Sequence, residues 1–316
     1  MTATYIKYAF IVSLALNIFG VSQLYRFNPS TIVTLPELYN QNISNPILTF
    51  DRRSHCNVRN YSTCYSTNKS LLMTFWSRKS VDKWLPQNIV SAFPSHSFDH
   101  MIFVHDNSTW HTHPGYDRFM WIHVQGQLRF WYVKRFALPS MVQSYQYIWI
   151  LDDDTRLYFD PLHYQCVVKN LKIPLSAAGR SNGIISHAIT RLKAEFKDRI
   201  GRWTDFVEVG PMVVATAATW QCALRYIDPS TGSGYGVDFT WCKMIAERCP
   251  PQGDAFKVCA ILDAFSIDHQ SKEISSGAYG QPELPVYEKY YKKWRSAMRT
   301  YGPLASNRSV MEACLR

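Results

Sequence analysis

Apolar residues along this chain fall into short dense runs separated by polar stretches, some of them with helical spacing. "LLMTFW" at 71–76 and "HMIFVHD" at 100–106 read as buried strands, and "SVDKWLPQNIVSAF" between them can form an amphipathic helix. Together they predict a β-α-β unit starting at Leu71. "FMWIHVQ" at 119–125 predicts another strand, and "QLRFWYVKRFALPSMVQSY" at 127–145 predicts a helix interrupted at Pro139, which has no N–H for the helical ladder. The chain returns to strand at "YIWIL" (147–151), and "AILDAFSIDHQ" (260–270) is a further apolar run. Strands alternating with helices predict an α/β sheet of parallel order, whose ligands bind beyond the carboxyl ends of the strands.

The pattern ahead of Leu71 is different. "YAFIVSLALNIFGVSQLY" at 8–25 carries no charge between Lys7 and Arg26, close to the ~20 residues a helix needs to cross a bilayer. It predicts entry into the secretory pathway, as a retained signal anchor or as a signal cut near Gly20 or Ser22. From there to about Ser70 the chain is rich in Asn, Ser, Thr and Pro without sustained period, as a stem would be. The expected organisation is a cytosolic tail (1–7), an anchor (8–25), a stem (26–70), one folded body (71–300) and a C-terminal tail (301–316).

Composition adds limits. With 316 residues, 47% hydrophobic and 15% aromatic, the chain can bury a large core. The formal net charge of +10 is spread without an arginine-rich tract, so anionic small molecules and surfaces are expected partners and nucleic acid is not. The densest basic run, "YEKYYKKWRSAMRTYG" at 287–302, reads as a solvated face. Five N-x-S/T sequons, at Asn42, Asn60, Asn68, Asn107 and Asn307, and an even set of 8 cysteines without a CxxC pair point to disulfides in an oxidising compartment. The body is therefore expected in the lumen of the endoplasmic reticulum or Golgi, behind a single-pass type II anchor.

The chemistry gathers at strand ends. Asp152, Asp153 and Asp154 follow "YIWIL" directly, and carboxylates spaced D-x-D on a turn can present oxygens to one Mg²⁺ or Mn²⁺, which also relieves their repulsion. Read alone, the triplet is equally an acidic turn capping the next segment. A haloacid-dehalogenase type of phosphatase also ends a strand in D-x-D, but that pattern wants Thr or Val where Arg156 stands. "GSGYGVDF" at 232–239 places a flexible loop before Asp238. Its glycines permit close backbone approach to a ligand, Tyr235 offers a stacking face for a sugar or base, and Asp238 is placed to accept a proton; a plain turn is the alternative. Asp268 and His269 end the last apolar run, where a histidine can be a third ligand to the same metal.

Taken together, "VKRF", "YQYIWILDDD", "ISHAIT" (185–190), "FVEVGPMV" with "TWQC" (206–222), "GYGVDF" and "LDAFSIDH" resemble a plant-rich domain-of-unknown-function family labelled "lysine-ketoglutarate reductase trans-splicing related", over roughly residues 71–270. That family in turn resembles the GT-A class of nucleotide-sugar glycosyltransferases, whose D-x-D binds Mn²⁺ and the donor diphosphate. The resemblance implies a single Rossmann-type α/β catalytic domain of GT-A character. It implies Asp152, Asp154 and His269 as metal ligands, with Asp152 also a candidate for the ribose. Asp238 becomes the acceptor base and Glu208 the second candidate, while Asp106, Lys134 and Tyr235 are candidate contacts to the nucleotide sugar. The expected activity is transfer of a sugar from a nucleotide diphosphate donor to a glycan or other hydroxyl acceptor; the competing expectation is a non-catalytic carbohydrate-binding or scaffold protein. Two departures stand out: Asp153 replaces a more usual Glu, and Cys242 and Cys249 follow the loop acid after four and eleven residues, not six.

Overall fold

The computed structural model describes residues 69–183, 185–249, 257–270, 283–304 and 309–315. The expected anchor at 8–25, the stem up to residue 68, Cys56, Cys64 and the sequons at Asn42, Asn60, Asn68 and Asn307 lie outside the described residues. Asn107, the remaining sequon, is exposed. Among the described residues no helix is long and apolar enough to cross a membrane.

The expected β-α-β unit is present as β1 (Ser70–Trp76), α1 (Trp84–Ala92) and β2 (Phe98–Val104), with β1 and β2 parallel. Then follow β3 (Met120–His123), α2 (Arg129–Phe136), α3 (Pro139–Val142) and β4 (Tyr147–Asp152). Pro139 does not merely interrupt a helix; it opens the next one, where its missing N–H would have had no helical partner. Beyond β4 lie β5 (Thr155–Leu157), α4 (Pro161–Asn170), β6 (Leu175–Gly183), β7 (Arg202–Thr204), β8 (Met212–Thr216), α5 (Ala217–Tyr226), α6 (Trp241–Arg248), β9 (Cys259–His269), α7 (Leu284–Trp294), β10 (Thr300–Pro303) and α8 (Ser309–Ala313).

One mixed sheet runs in the order β10-β7-β9-β6-β8-β4-β1-β2-β3, with β5 paired to β9. The parallel order expected from the sequence holds for β4, β1, β2 and β3, breaks at β8 and returns between β6 and β9. β8 is antiparallel to both β4 and β6. The reason is the path of the chain: the segment 205–211 arrives at the end of the sheet where β4 finishes, so β8 can only run back. This reversal sets Glu208 to Pro211 beside the acidic triplet.

β1 and β4 are apolar without alternation because helices cover both faces of the sheet. Leu71, Met73 and Phe75 of β1 and Ile148 and Ile150 of β4 pack with Phe130, Trp220 and Trp241 on one face. Leu72, Trp76, Trp149 and Leu151 pack with Ile89, Tyr164 and Phe265 on the other. Among the described residues three disulfides, Cys166–Cys314, Cys222–Cys249 and Cys242–Cys259, staple the body, so both cysteines after the loop acid are paired despite their unusual spacing. The chain after residue 300, expected as a tail, belongs to the body: β10 pairs with β7, and Cys314 is bonded to α4 through Cys166.

Candidate metal centre and its carboxylate neighbours

Asp152 is the last residue of β4, and Asp153 and Asp154 turn the chain into β5. β5 pairs antiparallel with the end of β9, in a register that sets Thr155 opposite His269. The Gln270 N–H also donates to the Asp154 carbonyl at 3.0 Å. That pairing brings His269 to the triplet. Its Nε2 lies 3.1 Å from Asp154 Oδ1 and 3.9 Å from Asp152 Oδ2. One ligand atom from each of the three residues lies within 4.8 Å of the other two. Neighbouring ligands about an ion with bonds of ~2.1 Å stand roughly 3 Å apart, so two hard carboxylate oxygens and an imidazole nitrogen fit a single Mn²⁺ or Mg²⁺. Asp153 faces elsewhere: its Oδ2 accepts from the buried Ser80 hydroxyl, and burial pushes its carboxyl up to about 6.

Two arginines that the sequence reading passed over complete the setting. Arg129, first residue of α2, donates to Asp152 Oδ1 and to the Val209 carbonyl at 3.4 Å. Arg180, on β6 and almost fully buried, donates to the Gly210 carbonyl at 2.7 Å and lies 3.1 Å from Glu208 Oε2. Gly210 is held between them. A Cβ there would stand 2.5 Å from Arg129 Nη1 and 2.9 Å from Asp152 Oδ2, so only glycine permits this approach.

Glu208 lies within electrostatic reach of Asp152 and His269, and Asp238 within reach of Glu208. Burial, reinforced by the nearby charge of Glu208, pushes the Asp238 carboxyl up to about 8, although its Oδ1 accepts the Phe239 N–H at 3.0 Å. Burial also raises Glu208, against the pull of Arg180. Burial raises Asp152 too, Arg129 notwithstanding. At Asp154 burial is outweighed by the hydrogen bond and charge of His269, and the carboxyl falls below its ordinary value. Asp152, Asp154 and Glu208 thus share the field of Arg180, with Arg129 also acting on Asp152 and Glu208 and Lys83 on Asp154. A divalent cation would add positive charge between the two carboxylates of the triad.

The remaining expectations divide. The glycine loop does not offer its amides to a ligand. The N–H groups of Gly232, Ser233 and Gly234 wrap the Glu283 carboxylate at 2.9, 2.6 and 3.2 Å. Gly234 and Gly236, both at positive φ, allow the loop to lie against Phe130 and Tyr291 and so carry Asp238 inward. Tyr235 is half-buried on that loop. Asp106 accepts from the Arg78 N–H at 2.7 Å and from Ser108, joining the loops that follow β1 and β2. Lys134 is not brought to the triad: it donates to the Leu224 carbonyl near the end of α5. Arg129, five residues earlier on the same helix, is the basic residue of that stretch that reaches Asp152. Only the isolated basic charge among the aromatics of "QLRFWYVKRF" could have pointed there.

The strand order and the acidic strand end define a mixed α/β protein with a candidate divalent-metal centre. The chain belongs to the family described as "Protein of unknown function (DUF707)", whose model matches residues 51–299. That description carries no activity and no reductase label. A comparison with curated proteins finds no match. Among solved structures the chain is similar to S. aureus TarS 1-349 in complex with UDP-GlcNAc, at 12% identity, TM-score 0.43, over 71% of this chain and 64% of that one. It is also similar to the mannosyltransferase PcManGT from Pyrobaculum calidifontis in complex with GDP-Man and Mn²⁺, at 11% identity, TM-score 0.43, over 67% and 59%. A third is glucosyl-3-phosphoglycerate synthase from Mycobacterium tuberculosis with Mn²⁺, UDP and glucosyl-3-phosphoglycerate, at 8% identity, TM-score 0.41, over 71% and 80%. This chain spans less than two thirds of the TarS chain. Overlap at TM-scores below 0.5 decides neither fold family nor activity; the strand order and side chains of the molecule itself must do so.

Proposed function

We propose that this protein is a metal-dependent glycosyltransferase of GT-A character, moving a sugar from a nucleotide diphosphate donor to a hydroxyl acceptor. One observation carries the reading: an Asp152, Asp154 and His269 cluster shaped for one divalent ion lies beside a second, separate pair of buried carboxylates, Asp238 and Glu208. A binding module would need the first group at most. The mixed sheet, with an acidic end on β4 and the reversed β8 beside it, supports the GT-A reading; the family resemblance adds to it.

Asp152, Asp154 and His269 would hold the ion, which supplies positive charge to the departing diphosphate. Arg129 orients Asp152, and Arg180 orients Glu208. Asp106 and Tyr235 are the nucleotide-sugar contacts that fit the loops after β2 and before α6. In the transfer, the acceptor hydroxyl oxygen bonds to the anomeric carbon as the bond to the diphosphate oxygen breaks, and the hydroxyl proton passes to the ionised form of Asp238, whose carboxyl burial pushes up to about 8, so transfer should rise with pH towards that value. Glu208 is the second candidate for that proton. The setting proposed is the lumen of the Golgi or endoplasmic reticulum, with residues 8–25 as the anchor; the three disulfides and the exposed Asn107 support it.

Titration of the full chain with UDP and GDP, with and without Mn²⁺, tests the reading, followed by donor hydrolysis across a panel of nucleotide sugars. Mn²⁺-dependent binding of a nucleoside diphosphate and slow hydrolysis of one donor are expected. Absence of both would overturn it.

A further inference from the structure

Next to Asp238 the site is walled by aromatic rings that the transfer chemistry above leaves unused. The Phe239 ring meets His187 edge-on at 5.2 Å, Phe206 at 5.4 Å and Tyr291 at 5.9 Å. His187 in turn packs against Phe206 at 4.8 Å. These residues come from separate parts of the chain: the "ISHAIT" segment after β6, the approach to β8, the turn before α6, and α7. Gly236 places the loop against the Tyr291 ring, and the Tyr291 hydroxyl lies within electrostatic reach of Asp238 and of Tyr235.

The rings differ in burial, and the difference is informative. Phe206 is fully buried and joins Ile189 and Ile261 in a small core that seals the sheet. His187, Phe239 and Tyr291 are half-buried around it, Phe239 packing directly against that core. Sealing the sheet explains the lower layer. The upper layer leaves three partly exposed rings near Asp238, a combination an ordinary core avoids. Burial, with Arg180 nearby, holds the His187 imidazole below its ordinary value, so the wall carries little charge near neutrality. Arg180 itself is committed to Glu208 and the Gly210 carbonyl.

A ligand matching an uncharged aromatic wall edged by carboxylates needs one apolar face and several hydroxyl donors. An alkyl chain would leave Asp238 with the Phe239 N–H as its one donor, and an anionic group would be repelled by Glu208 and, once ionised, by Asp238. A pyranose ring has the required form: axial C–H groups on a face, hydroxyls around the edge. We propose that His187, Phe239 and Tyr291 form the acceptor subsite, and that the acceptor is a neutral sugar ring stacked on Phe239 with one hydroxyl directed at Asp238. This rests on the glycosyltransferase reading and specifies its acceptor.

Saturation-transfer NMR on the full chain tests it, using methyl glycopyranosides of glucose, galactose, mannose and xylose. Methyl glucuronoside and N-acetylserinamide serve as anionic and peptide-hydroxyl competitors. At least one neutral glycoside should receive saturation on the C–H protons of one ring face, and its affinity should fall about 3- to 10-fold in Phe239→Leu. His187→Ala, at the rim, gives the same readout should Phe239→Leu fail to fold. No saturation of any neutral glycoside overturns the proposal. So does undiminished affinity in the folded variants, or preferential saturation of N-acetylserinamide or the glucuronoside. UDP and GDP titration with Mn²⁺ on the same samples reports the donor side, so failure of the metal-dependent reading is seen separately from failure of the sugar subsite.

Discussion

Arg129 and Asp152 are joined across Gly210, whose missing side chain is the space their hydrogen bond occupies. Alanine at position 210 would put its methyl 2.5 Å from Arg129 Nη1. The guanidinium end is the part able to move, so Gly210→Ala should release Asp152 from Arg129 while leaving the sheet intact. A charged hydrogen bond contributes about 1.5–3 kcal/mol, and nucleotide affinity in Mn²⁺ should fall roughly tenfold or more with Tm little changed. Calorimetric titration beside a thermal melt checks this; parental affinity would mean that the hold on Asp152 is irrelevant to the site.

Asp154→Asn keeps shape and removes one charge from the triad. Mn²⁺ binding, followed by loss of the free-ion signal in electron paramagnetic resonance, should weaken by more than about tenfold, and nucleotide affinity should lose its dependence on Mn²⁺. Far-UV circular dichroism should match the parent. Unaltered Mn²⁺ binding would remove Asp154 from the ligand set.

Much of the site was legible because it lies at the ends of strongly apolar strands. "YIWIL" announced β4 and therefore the address of Asp152 and Asp154, and "AILDAFSIDHQ" did the same for His269. Arg129 and Arg180 were not legible. Their meaning depends on β6, β8 and β4 lying side by side, and the reversal of β8 has no local signal. β6 reads "LSAAGRSNG", small residues without apolar period, so neither the strand nor its arginine stood out. The partner of the glycine loop was not legible for a related reason: its amides wrap Glu283, remote in sequence.

Arg202 and Asp263 form a fully buried ion pair at the crossing of β7 and β9. Arg202 also holds the Ile189 and Arg191 carbonyls, and Asp263 accepts the Lys193 N–H at 2.8 Å, so the pair ties the segment carrying His187 to the sheet. Arg202→Ala leaves a buried carboxylate without its partner, and a loss of about 3–5 kcal/mol is expected in urea denaturation. Arg202→Met with Asp263→Leu removes both charges and should recover part of that loss. A single variant as stable as the parent would rule out this role.

Asp238→Asn separates stability from catalysis. The Asp238 carboxyl goes from an ordinary 3.8 in the unfolded chain to about 8 in the folded one, chiefly through burial, so the native state binds the proton more tightly. Stability from this group is complete below about pH 4 and drains away as pH rises towards 8, where deprotonation puts an unwelcome charge in the fold. Asparagine can still accept the Phe239 N–H and never ionises. The variant should therefore match the parent at pH 4 and gain on it steadily with pH, by about 3–5 kcal/mol at pH 8, seen as a Tm difference of several degrees. Sugar transfer should meanwhile fall ~10²- to 10⁴-fold with nucleotide and Mn²⁺ affinity retained. A Tm difference independent of pH would show that Asp238 is not held protonated by burial. Parental transfer rates at a verified acceptor would move the base assignment to Glu208.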